Sequence, residues 1–145
     1  MFQSAANFGI KHFKGLEMKL VRITGVILAL MLMIGEACRS WGVGRPIAFV
    51  MDDMLAGTMM ITAAVLVRQP TRITRAYFSS AWGVAVGMLY GSFFNKVFDP
   101  ATATPGNISL PLLTGVIGVA FAVSVAGLIA SILLPDEFGK HGSAA

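Results

Sequence analysis

The chain has 145 residues, enough for one domain, and a net charge of +4. Hydrophobic residues make up 56% and charged residues 12%, against about 45–50% and about 25% in soluble domains, which argues against an ordinary soluble globule. The basic residues are scattered and accompany no nucleic-acid motif, so DNA and RNA are not expected partners. The single cysteine, Cys38, leaves no internal disulfide or multi-cysteine metal site.

Residues 1–19 read as a basic amphipathic helix. Phe2, Ala6, Ile10, Phe13 and Leu16 form one stripe, and Lys11 and Lys14 fall on the other face, as in a helix lying in a membrane surface. This stretch precedes the first apolar run, so a cleaved signal peptide is not expected. Four apolar runs follow, at about 20–37, 47–67, 76–98 and 110–134. Each approaches the roughly 20 residues that cross a bilayer as a helix. The stretch "GEACRSWGVGRP" ends the first run in a tight turn, with Trp41 suited to an interface. "RQPTRITR" closes the second, "DPATATPGNIS" separates the third and fourth, and Pro111 suits the first turn of the fourth. Residues 135–145 are a polar tail. The fold predicted is all-α: an integral membrane four-helix bundle, one domain, with an N-terminal interfacial amphipathic helix.

Lys11, Lys14, Lys19, Arg22, Arg68, Arg72, Arg75 and Lys140 flank the spans on one side, against Arg39, Arg45 and Lys96 on the other. Positive residues mark the cytoplasmic side. Both termini are therefore expected in the cytoplasm, across a membrane of bacterial inner-membrane type.

Small residues recur every fourth position in the third run, at Ser79, Gly83, Gly87 and Gly91. The fourth run carries a comparable row, Gly118, Ala122, Ala126 and Ala130, with Gly127 and Ser131 nearby. Small residues on one face let helix backbones approach closely, which is how helices associate in lipid. The rows predict a packing seam, either within the chain or between chains.

The polar groups of the spans gather at one level. Asp52 and Asp53 lie about six residues into the second run, roughly 8 Å at 1.5 Å per residue. Antiparallel order brings Glu36, Tyr90, Asn95 and Lys96 to the same layer, with Arg39 and Arg45 beside it. Neighbouring helix positions differ by about 100°, so Asp52 and Asp53 face different ways. Three readings stand: a proton or cation site coupled to movement, a salt-bridge cluster with the basic residues, or carboxylates held by the positive end of the helix dipole. Shallow depth and nearby arginines favour the salt-bridge cluster.

Little else carries chemistry. His12 and His141 lie at opposite ends of the chain, no phosphate loop or nucleophile elbow occurs, and no serine has a histidine partner in sequence reach. No catalytic, cofactor or metal residues are assigned, and an enzyme is not expected. In length and span count the chain resembles small dimeric transporters of the small multidrug resistance type. Those carry their essential acid near the middle of the first span, whereas Glu36 stands near an end, so the resemblance stops at length and span count. The function expected is an accessory or assembly subunit acting by helix association, with the bilayer and other membrane subunits or a second copy as partners. The alternative is a small homo-oligomeric proton-coupled transporter or channel using the outer carboxylates.

Overall fold

The computed structural model describes residues 2–42, 46–103 and 106–133, with side chains from Glu17 onward apart from Phe49. The polar tail, Arg45 and the side chains of the expected amphipathic stripe lie outside the described residues. Among the described residues, four helices make up the fold: α1 (Phe2–Ser40), α2 (Ile47–Leu66), α3 (Arg72–Phe98) and α4 (Leu110–Leu133). No strand occurs among the described residues, and the class is all-α.

The helix starts follow from local chemistry. α2 begins directly after Pro46, whose fixed φ of −55° delivers the chain into the first turn. α3 begins four residues before the apolar run, because Thr71 and Thr74 form a reciprocal capping box. The Thr71 hydroxyl accepts from the Thr74 N–H at 3.1 Å, and the Thr74 hydroxyl accepts from the Thr71 N–H at 2.8 Å. α4 carries Pro111 in its first turn, where the missing N–H is not needed.

One expectation is corrected. Residues 1–19 do not form a helix separate from the first span: α1 runs unbroken for 39 residues. Gly9 and Gly15 lie in this stretch with no proline beside them, and each glycine costs a helix only about 1 kcal/mol.

The helices form an antiparallel bundle of two hairpins. α1 packs closely on α2 and α3 on α4, α2 meets α3 less extensively, and α1 meets α4 the least of these four neighbouring pairs. The half of the bundle nearest the α2–α3 turn, here called the inner half, is filled around Trp82. This indole is fully buried, with Phe78 edge-on at a centroid distance of 6.2 Å and Met60, Ala63, Ala81 and Ala85 in the same core. Two glycines make room for it. A methyl group at Gly25 of α1 would lie 3.2 Å from the ring, and one at Gly127 of α4 would lie 2.5 Å from it. Polar ties finish the inner half: Arg22 Nε donates to the Ala64 carbonyl at 3.0 Å, and Ser131 donates to Ser79 at 3.1 Å. The Arg22 contact satisfies a carbonyl in the last turn of α2.

Outside, large apolar side chains stay exposed on every helix, among them Ile23, Ile27 and Ile34 on α1, Leu55 on α2, Val84 on α3, and Val119 and Ile132 on α4. Four spans were expected from the apolar runs. By length and composition, two stretches among the described residues are long and apolar enough to cross a membrane: Glu17–Ser40 and Leu110–Leu133. α2 carries Asp52 and Asp53 near its start, and α3 carries arginines in its first turn and Lys96 in its last.

Candidate functional site

The outer half of the bundle is hollow. A cavity of about 690 Å³ lies among the C-terminal end of α1, the start of α2, the second half of α3 and the start of α4. Its depth is apolar, with Leu28, Leu32, Leu113, Ile117 and Ala120 on the wall. Its upper rim is charged. Glu36, Arg39, Asp52, Asp53, Asn95 and Lys96 all line it, so six of the eight residues in the predicted layer meet around one space. Short connections force this meeting, because antiparallel neighbours bring the end of one helix level with the start of the next.

Glu36 is the anchor of the rim. It is only 2% exposed, and a buried carboxylate needs partners on both oxygens. Arg39, one turn on, gives an ion pair at 2.5 Å to Oε2, and the Ser40 hydroxyl donates to Oε1 at 2.5 Å. Asp53 reaches across from α2 to the same rim as Glu36. Asp52, turned about 100° from Asp53 on the same helix, is exposed. Asp53 is therefore the inward member of the pair. On α3, Lys96 folds back and donates to the Ser92 carbonyl at 3.1 Å and the Ser92 hydroxyl at 2.9 Å.

Tyr90 does not join this group. It is exposed on the bundle's outside and packs against Phe94 and Phe121, with ring centroids 4.6 and 6.0 Å away. The small-residue rows also divide. Ser79 bonds to Ser131, and a methyl on Gly118 would lie 2.8 Å from the Phe93 ring, so both touch the facing helix. Gly83, Gly87 and Gly91 have open space where a side chain would stand. Ala122 and Ala126 are exposed, and Ala130 is half-buried. The two rows do not zip together within the chain, because α3 turns Phe78, Trp82, Ala85 and Leu89 inward instead.

Sequence reasoning missed the roof of the cavity. The turn before α4 folds over the end of α1, where Asn107 Nδ2 donates to the Trp41 carbonyl at 2.8 Å and to the Cys38 carbonyl at 3.3 Å. Its backbone N–H reaches the Arg39 carbonyl at 3.4 Å. The last carbonyls of a helix lack partners within it, and α1 borrows these from a loop some 66 positions away. Gly106 permits the approach: its φ is +66°, and a side chain there would run into the Arg39 carbonyl. The "PGN" triplet signalled a turn, but nothing in the sequence said what it would cap.

Among the described residues, no group of His, Cys, Asp and Glu is arranged to hold a metal ion. The chain matches no family model, no curated protein and no solved structure.

Proposed function

We propose that the chain is an integral membrane protein that acts by helix association, as an accessory or assembly subunit of a larger membrane complex. The coat of exposed Leu, Ile and Val supports the membrane placement, since soluble monomers rarely leave so much large apolar surface in water. All four helices cross the bilayer in this reading, both termini lie in the cytoplasm by the distribution of Lys and Arg, and the membrane is of bacterial inner-membrane type.

One observation carries the association reading. Four glycines on α1, α2 and α4 (Gly25, Gly57, Gly118 and Gly127) are already filled by side chains of the same chain; Gly35 on α1 and Gly115 on α4 face open space singly, whereas on α3 the open positions recur every fourth residue at Gly83, Gly87 and Gly91. In lipid, a strip without side chains is where another backbone approaches closely. Gly87→Leu closes the strip without touching the bundle's own core. Purification in mild detergent with mass spectrometry of the recovered proteins tests it. The expected result is a loss of recovered partner or second copy of about tenfold or more, and undiminished assembly overturns the reading.

A second reading, the small homo-oligomeric proton-coupled transporter or channel, is favoured by the carboxylates that line the cavity. The filled half beneath closes that cavity from below, so passage would require Trp82 and its neighbours to move. Replacing Asp52 and Asp53 together by Asn should abolish proton-coupled uptake into vesicles, and wild-type flux in that variant sinks this reading.

A further inference from the structure

We infer that the inner end of the bundle, at the α2–α3 turn, holds an anionic phospholipid whose phosphodiester is bound by arginines from α1, the turn and α3. This rests on the membrane placement proposed above but not on the association reading.

Charge at this end is out of balance in the sequence itself. The segments that meet there carry eight basic residues against three acids, Glu17, Asp136 and Glu137, so pairing every acid still leaves a surplus of five. The opposite end has three basic residues against four acids. The fold gathers part of the surplus. Arg22 of α1 is held at the level of the last turn of α2, where its Nε donates to the Ala64 carbonyl at 3.0 Å and its two Nη groups remain to donate. Arg68 follows in the turn, with its N–H on the Val65 carbonyl at 3.2 Å, and Arg72 opens α3. The turn between them is stapled, because the Thr74 hydroxyl donates to the Gln69 carbonyl at 3.0 Å besides its part in the capping box. Arg68 and Arg72 are exposed, and among the described residues neither has a carboxylate within ion-pair distance.

Helix chemistry adds to the demand for an anion. The start of a helix is the positive end of its dipole, where an acid is stabilising and a cation is not. The first turn of α3 has no acid and carries Arg72 and Arg75. A phosphate arriving there relieves the repulsion and takes paired N–H donors from each guanidinium it meets.

Apolar neighbours decide between a lipid and a soluble anion. Leu20 and Ile23 lie on either side of Arg22 along α1, Leu66 ends α2 and Ile73 follows Arg72, and all four are exposed. Ile73 leaves 81% of its surface uncovered at the level of the arginines. A free phosphate or an acidic peptide leaves that surface in water, whereas acyl chains hanging from a bound phosphate cover it. Basic pockets at the cytoplasmic ends of membrane helices hold anionic lipid heads by this combination. A zwitterionic lipid brings its own ammonium into the surplus and is disfavoured.

The test uses the full chain in nanodiscs of equal phosphatidylglycerol, phosphatidylethanolamine and phosphatidylcholine, released for native mass spectrometry. Phosphatidylglycerol should remain bound at least about tenfold more than either of the others. Replacing Arg68 and Arg72 together by Gln should cut its retention about tenfold or more, with an unaltered unfolding midpoint in detergent to separate lost lipid from lost fold. Ile73→Ser, which keeps every charge, should cut retention about threefold. Inorganic phosphate or polyglutamate added in excess should leave the lipid in place. Equal retention of the three lipids overturns the proposal, as does wild-type retention in either variant. Release of the lipid by phosphate or by polyglutamate overturns it too, and assigns the arginines to a soluble anion or an acidic protein instead. Carbonate extraction of the membrane fraction keeps the two levels apart. A protein stripped by carbonate defeats the membrane placement itself, and one that resists carbonate but shows no lipid preference defeats only the site.

Discussion

In the inner half of the bundle a buried indole fills the centre, and glycines on two other helices give way to it. In the outer half the same four helices enclose empty space, rimmed by charge and roofed by a loop. The inner half holds together by close contact, through many small dispersion terms that depend on shape. The outer half is tied by a few directional bonds, Glu36 with Arg39 and Ser40 and Asn107 on the end of α1, beside the stacked rings of Phe93 and Phe121. Shape-dependent packing tolerates no added volume, and directional bonds tolerate no lost partner. The contrast implies that stability is concentrated at one end and freedom to open at the other, since regions with few packed contacts open most easily.

Four substitutions can break or sharpen that contrast, each followed by thermal or denaturant unfolding in detergent. Gly127→Leu should be the most damaging. It drives a branched side chain into the Trp82 ring, and overpacking of this kind costs about 3 kcal/mol. Gly106→Ala should come second, at about 2 kcal/mol, because it strains a positive φ and pushes the roof off the Arg39 carbonyl. Asn107→Ala removes the side-chain bonds to Trp41 and Cys38 and should cost about 1 kcal/mol. Ala120→Leu, on the same helix as Gly127 but facing the cavity, should change stability by less than about 0.5 kcal/mol, because there is room to receive it. If Gly127→Leu and Ala120→Leu cost the same, the two halves are not packed differently and the contrast fails.

Much of this was legible in the sequence, and the reason differs by feature. The expected bounds 47–67 and 110–134 fall within a residue of α2 and α4, because prolines and polar turns punctuate continuous apolar runs. The start of α3 was placed four residues late, since the polar "RITR" reads as loop until Thr71 and Thr74 are seen to cap it. Glu36, Asp53, Asn95 and Lys96 could be brought to one level by counting residues from short loops, as rise along a helix depends only on number. Rotation was harder. A helix apolar all round has no polar face to mark its outside. The sequence therefore could not say that Gly127 and Ser131 face α3 while Ala122 and Ala126 look outward, or that Tyr90 turns away from the charged layer. The cavity was invisible for the same reason, being a gap between faces whose directions were unknown.

The bond from Asn107 to the end of α1 also orders events in time. The chain is made from its N-terminus, so α1 and α2 are complete while the group that finishes α1 does not yet exist. The Trp41 and Cys38 carbonyls must wait through all of α3 and the turn beyond it. The roof of the cavity therefore closes late in synthesis, and a chain truncated after α3 would carry a first helix with that end unfinished.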